Sequence, residues 1–166
     1  MTTFERDLVQ SFNHFFEKSS IKGIAYRMKQ HRFTHQYLDI LVDSLNPDYY
    51  IGIECKSISV QKGANALYFT QHFTKDKNGV HQIERISKFL KMSGRMGFLA
   101  IELRLGAGKS RKAYAIPWNI LAEKFNSDDV IKLSVPEIEE FPVIKRCEGN
   151  YIIDPVGWRE SKRILE

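Results

Sequence analysis

Two apolar runs, Leu38-Asp39-Ile40-Leu41-Val42-Asp43 and Tyr49-Tyr50-Ile51-Gly52-Ile53-Glu54-Cys55-Lys56-Ser57, flank the turn-forming Asn46-Pro47-Asp48. Their reading decides the fold. Asn-Pro-Asp is turn chemistry, and the flanking runs are short, apolar and partly β-branched, so residues 37–43 and 49–57 read as two paired strands. Strand side chains alternate faces, which puts Glu54 and Lys56 on one side and Ile53 and Cys55 on the other. A hairpin-like pairing brings Asp39 beside Glu54. Two carboxylates and an ammonium then share one face of an otherwise apolar sheet.

Carboxylates side by side repel, and a divalent cation is the usual remedy. Two carboxylates, a backbone carbonyl (that of Cys55) and waters make an oxygen shell suited to Mg2+ or Mn2+. Such an ion polarises a phosphoryl oxygen and lowers the pKa of bound water, while a neighbouring lysine orients the nucleophile and neutralises developing charge. Glu-x-Lys alone says little. The chain has a second copy, Glu160-Ser161-Lys162, in a helical or irregular setting, where residues two apart point in different directions. Only the copy at 54–56 has an acid in a neighbouring strand.

Outward from this centre, residues 2–18 read as an amphipathic helix with Phe4, Leu8, Phe12, Phe15 and Phe16 on one stripe and a Thr2/Glu5 capping box. Residues 24–28 are a short strand and 29–36 a basic loop. A second helix is expected over 80–93, with Gly94 beyond its end. Residues 97–105 and 112–116 read as strands around the loop 106–112, and Pro117 opens a helix to Phe125. Short strand pieces are expected at 130–135 and 151–154. The order argues for an α/β chain with a central sheet. Residues 1–118 hold the core, and 119–166 form an extension packed on the same domain.

At 166 residues, 43% apolar and 27% charged, the chain is long enough for one core without a metal or disulfide to hold it. No apolar run reaches the roughly 20 residues of a membrane span, the start does not read as a signal peptide, and two cysteines suggest a reduced, cytoplasmic protein. Lys and Arg exceed Asp and Glu by 25 to 20, but unevenly. Residues 18–38 carry five basic side chains and no acid, and 88–112 carry seven against Glu102 alone. Clustered positive charge suits a polyanion. Within the loop 106–112, Gly106-Ala107-Gly108-Lys109-Ser110 resembles the end of a phosphate-binding loop. It lacks the required upstream glycine at Leu103 and precedes a strand, so no nucleotide is expected. Lys109, Arg111 and Lys112 are read instead as contacts to DNA backbone.

In order along residues 4–118, these motifs resemble the Holliday-junction resolvases of the PD-(D/E)xK nuclease superfamily, the archaeal Hjc type foremost, with RecU-type features. Phe4-Glu5-Arg6-Asp7-Leu8 resembles the family's first helix, Arg27 its first-strand arginine and Leu38-Asp39-Ile40 its metal aspartate. Ile53-Glu54-Cys55-Lys56-Ser57 resembles its catalytic strand, Val80-His81-Gln82-Ile83 its helix entry and Gly97-Phe98-Leu99-Ala100-Ile101 the strand that follows. The resemblance implies a restriction-endonuclease-like core, a central mixed β-sheet flanked by helices. It also implies Mg2+- or Mn2+-dependent cleavage of four-way DNA junctions by a homodimer. Asp39, Glu54 and the Cys55 carbonyl would hold the metal, Glu5 would add a ligand directly or through water, and Lys56 would position the nucleophile. Arg6, Arg27, Lys29 and Arg32 would meet phosphates. A different nuclease on the same core and a catalytically silent DNA-binding protein are the alternatives.

Overall fold

The structure is a computed structural model that describes residues 3–28 and 37–160. Helix α1 (Thr3–Lys18) buries Phe4, Leu8, Phe12 and Phe16, one side chain per turn. Each such burial contributes about 1.5–3 kcal/mol, which is ample to dock the helix on a sheet. The Thr2 half of the expected capping box lies outside the described residues. Strands β1 (Ile24–Arg27), β2 (Ile40–Asp43) and β3 (Ile51–Ser59) form an antiparallel meander. Between β2 and β3, a helical turn at Pro47–Tyr49 is capped by the Asn46 side chain, which accepts the Asp48 N–H at 3.0 Å.

The crossover carries β4 (Ala66–Tyr68), α2 (Phe69–His72) and α3 (Gln82–Ser93). It leads to β5 (Met96–Arg104), which runs parallel to β3, and β6 (Lys112–Pro117) returns antiparallel. The remainder is α4 (Trp118–Phe125), β7 (Lys132–Ser134), α5 (Val135–Ile138), β8 (Arg146–Cys147), β9 (Asn150–Tyr151) and α6 (Pro155–Arg159). The central sheet has the order β1-β2-β3-β5-β6, mixed in direction and flanked by helices. The α/β expectation is therefore met.

The sheet separates two cores. On the α1 side lie Ile53, Cys55, Phe98 and Ala100, joined by Tyr151 and Trp158 from the C-terminal segment. On the other side Ile58, Leu99, Ile101 and Leu103 pack beneath Ile83, Ile86 and Leu90 of α3 and Trp118 and Leu121 of α4. Gly52 and Gly97, paired across β3 and β5, let Leu90 of α3 settle closely, because a Cβ at Gly97 would collide with Leu90 and one at Gly52 would lie 3.1 Å from it.

Both sheet edges are closed. The Asn13 side chain donates to Ala25 O at 2.9 Å and accepts from Ala25 N–H at 2.8 Å, occupying the free side of β1 as a strand would. The segment after α5 does the same for β6, with Ala115 N–H donating to Pro142 O and Ile144 N–H to Ala113 O.

Several boundaries depart from the sequence reading: the pieces expected as strands at 130–135 and 151–154 are strand only at Lys132–Ser134 and Asn150–Tyr151, and three changes lie near the centre of the sheet. The strand expected at 37–43 begins only at Ile40, which leaves Asp39 just outside it, and the strand expected at 49–57 starts at Ile51 and runs on to Ser59. Helix α3 starts at Gln82, because His81 serves as its cap and accepts the Ile83 N–H through Nδ1 at 3.1 Å.

Candidate active site

Asp39 leaves the β2 ladder for a specific reason. Its backbone N–H still donates to Ile53 O at 3.1 Å, but the next acceptor is its own side chain: Cys55 N–H donates to Asp39 Oδ2 at 2.8 Å. A carboxylate thus replaces a main-chain carbonyl in the ladder, and regular pairing ends there. The N–H and C=O of one strand residue face the same edge, so the Cys55 carbonyl is directed to the Asp39 side as well. Burial and the nearby Asp39 and Glu54 carboxylates push the Cys55 thiol well up, which leaves its sulfur protonated and unreactive.

Glu54 points to the α3 side and is only 3% exposed. Its carboxyl hydrogen-bonds to that of Asp39. Burial first, then this hydrogen bond and the Asp39 charge, hold Glu54 well above the usual carboxylate range, against the partial relief of the Lys56 charge. One side of Glu54 is pinned: Gln82 Nε2 donates to Glu54 Oε2 at 2.9 Å. Gln82 Oε1 in turn accepts the Thr74 N–H at 3.2 Å. The Lys56 ammonium lies on the same face, 4.7 Å from the centre of the Phe73 ring, a cation–π contact.

The donor set fits a hard divalent cation. Two carboxyl groups in contact, one of them buried, need a shared proton or a cation between them, and an adjoining carbonyl supplies another oxygen. Among the described residues there is no group of three or more His, Cys, Asp or Glu that could cage a metal. Mg2+ asks for only one or two carboxylates and retains its waters, so the pair suffices.

The other expected site residues are distributed as follows. Glu5, on the first turn of α1, is close enough for its charge to be felt at Glu54 and Cys55, but its carboxylate lies 3.4 Å from Arg27 Nε. Arg27 is therefore paired with Glu5 on the rim of the site, and Arg6 is half exposed, 3.7 Å from Asp7. Lys29 and Arg32 lie outside the described residues, as does the rest of the basic loop 29–36. Lys109 is exposed on the β5–β6 connection and Lys112 at the start of β6, whereas Arg111 reaches back to within 3.6 Å of buried Glu102. His81, at the helix entry, is buried, with Nε2 2.8 Å from Phe69 O. Sequence reasoning missed Thr74 and the placement of Phe73 over Lys56, because both come from the crossover between β3 and α3, which carries no periodic signal. Gln82 could be found from its position at the start of the helix that follows β3 along the chain.

No protein-family model and no curated protein matches this sequence. Among solved structures, the chain is similar to that of Archaeoglobus fulgidus Hjc, a Holliday junction resolvase from an archaeal hyperthermophile. The TM-score is 0.52 at 16% identity, over 84% of this chain and 92% of that one. Among the described residues no helix is long and apolar enough to cross a membrane. The two chains share an architecture, and with it the sheet on which Asp39, Glu54 and Lys56 stand.

Proposed function

We propose that this protein is a metal-dependent endonuclease that cleaves DNA phosphodiesters, with four-way junctions as its preferred substrate. The observation that carries the reading is the contact between the Asp39 and Glu54 carboxyls, one of them buried, with Lys56 two residues along the same strand. On this reading Asp39, Glu54 and the Cys55 carbonyl hold Mg2+ or Mn2+, and Glu5 reaches the ion directly or through water. The ion would supply Lewis-acid activation of the scissile phosphate and its attacking water. Lys56 delivers positive charge to the phosphate as charge builds on it, from the same face as the carboxylates. Gln82 fixes one Glu54 oxygen and leaves the other to the ion. Arg6, Arg27, Lys109, Arg111 and Lys112, with Lys29 and Arg32, hold backbone phosphates. Two symmetric cuts on a four-way junction require two sites, so the active species is a homodimer.

The experiment is direct. The purified protein is incubated with an immobile four-way junction and with linear duplexes of the same sequence, with and without Mg2+ or Mn2+. Paired nicks in the junction that require the divalent ion are expected. Linear duplex cut as fast as junction points to another nuclease on this fold. No turnover on any DNA with either ion contradicts the enzyme reading.

A further inference from the structure

Glu102 is the other deeply buried carboxylate of the sheet, 2% exposed, and it lies on the α1 side. It accepts from Ser57 Oγ at 3.1 Å and from Arg104 Nε at 3.2 Å, and Arg111 Nη1 stands 3.6 Å away. Asp7 carries a second pair of arginines, with Arg6 Nε at 3.7 Å and Arg146 Nη2 at 3.8 Å. Tyr151 lies between the two groups. Burial pushes its hydroxyl up to about 12, and its surroundings include the charges of Arg146, Glu102, Asp7 and Arg111. The Arg146 guanidinium also stacks 4.7 Å from the Tyr151 ring centre.

Internal pairing does not by itself explain this cluster. An apolar side chain of similar volume often replaces a buried ion pair at no loss of stability. What the pairing does is orient. Glu102 and Asp7 hold the guanidiniums in place, and Arg146 Nη2 also donates to Gly149 O at 3.2 Å, while 37% of Arg104, 48% of Arg111 and 43% of Arg146 stay exposed to solvent. Four arginines on two acids leave a net positive ridge. Lys109 extends it on the exposed β5–β6 connection.

We propose that this ridge binds the phosphate backbone of a second duplex arm. Several oriented forks in a row match the repeating phosphates of a nucleic acid better than any single anion. Ser57 joins the ridge to the catalytic strand directly after Lys56, yet on the opposite face of the sheet. A sharply bent or branched DNA meets both faces at once, and a straight one does not. The proposal rests on the nuclease reading and deepens it, giving Arg146 and the C-terminal hairpin of β8 and β9 a part in recognising the branch.

The test uses the full chain without divalent ion. Binding of a fluorescent four-way junction and of a matched linear duplex is followed by anisotropy over a salt series. Arg104→Gln/Arg111→Gln should flatten the log K against log salt slope for the junction by about 2, and Arg146→Gln by about 1, at about 0.9 per phosphate contact. The linear duplex should change less. Arg104→Lys/Arg111→Lys, which keeps the charge, should retain most of the slope and so separates lost contacts from a loosened fold. Unchanged junction slopes in the glutamine variants overturn the proposal, as does an equal loss on linear duplex. Loss confined to an acidic peptide such as polyglutamate, with junction binding intact, assigns the ridge to an acidic protein and overturns it too. Cleavage is not a readout, so failure of the nuclease reading and failure of this one are told apart.

Discussion

Glu54 and Glu102 sit on neighbouring strands of the same sheet, 3% and 2% exposed, and differ in what faces them. Glu102, on the α1 face, meets Ser57 and two arginines, so its charge is answered within the chain. Glu54, on the α3 face, meets a second carboxyl and an amide, and burial drives it toward its neutral form. Lys56, the nearest cation in sequence, has its ammonium over Phe73. A carboxylate answered internally organises its surroundings. One left against another carboxylate is complete only when something positive arrives from outside, and that contrast supports a metal role for one and an anchoring role for the other.

The largest effect expected from breaking the contrast is catalytic. Asp39→Asn should lower junction cleavage at least about 1,000-fold, roughly 4 kcal/mol of barrier, while junction binding measured without metal is retained. A smaller effect is thermal. Saturating Mg2+ or Mn2+ should raise the melting temperature of the wild-type chain, by up to about 3 kcal/mol of stabilisation at one hundred times Kd, and leave Asp39→Asn nearly unmoved. Glu102→Gln should destabilise by about 1–2 kcal/mol in denaturant unfolding, because it removes a charged acceptor from two arginines that can still reach water.

Glu54→Gln should do the opposite and raise the melting temperature of the metal-free protein by a degree or more, about 0.5 kcal/mol, since a neutral amide relieves the repulsion. The sign follows from the raised pKa of Glu54. Stability from this group is full below the unfolded value near 4.3 and is lost as pH rises from there through the folded value. The melting-temperature gain of the Glu54→Gln variant should therefore be small at pH 4 and grow toward neutrality. A gain independent of pH removes electrostatics as its cause.

Much of this was legible in the residues. Asn46-Pro47-Asp48 marked the turn, the alternation in Ile53-Glu54-Cys55-Lys56 assigned faces, and the spacing of Phe4, Leu8, Phe12 and Phe16 placed α1. The register that sets Asp39 against Glu54 was readable too, because an apolar face tolerates no one-residue slip. The late start of β2 was not legible. It comes from a side chain taking the place of a backbone acceptor at Cys55, and no composition signal marks that substitution. The roles of Phe73 and Thr74 were hidden in the crossover between α2 and α3, which has no apolar periodicity. The pairing of Arg146 with Asp7 was hidden for a different reason: the two meet across 139 positions of chain, a distance that local pattern cannot bridge.

Manganese uptake by the DNA-free protein tests the central claim most directly. In a spin-resonance titration, wild-type protein should bleach the signal of free Mn2+, while Asp39→Asn and Glu54→Gln leave it standing at the same concentrations. Equal uptake by all three proteins, or none by the wild type at any concentration that supports cleavage, contradicts the account.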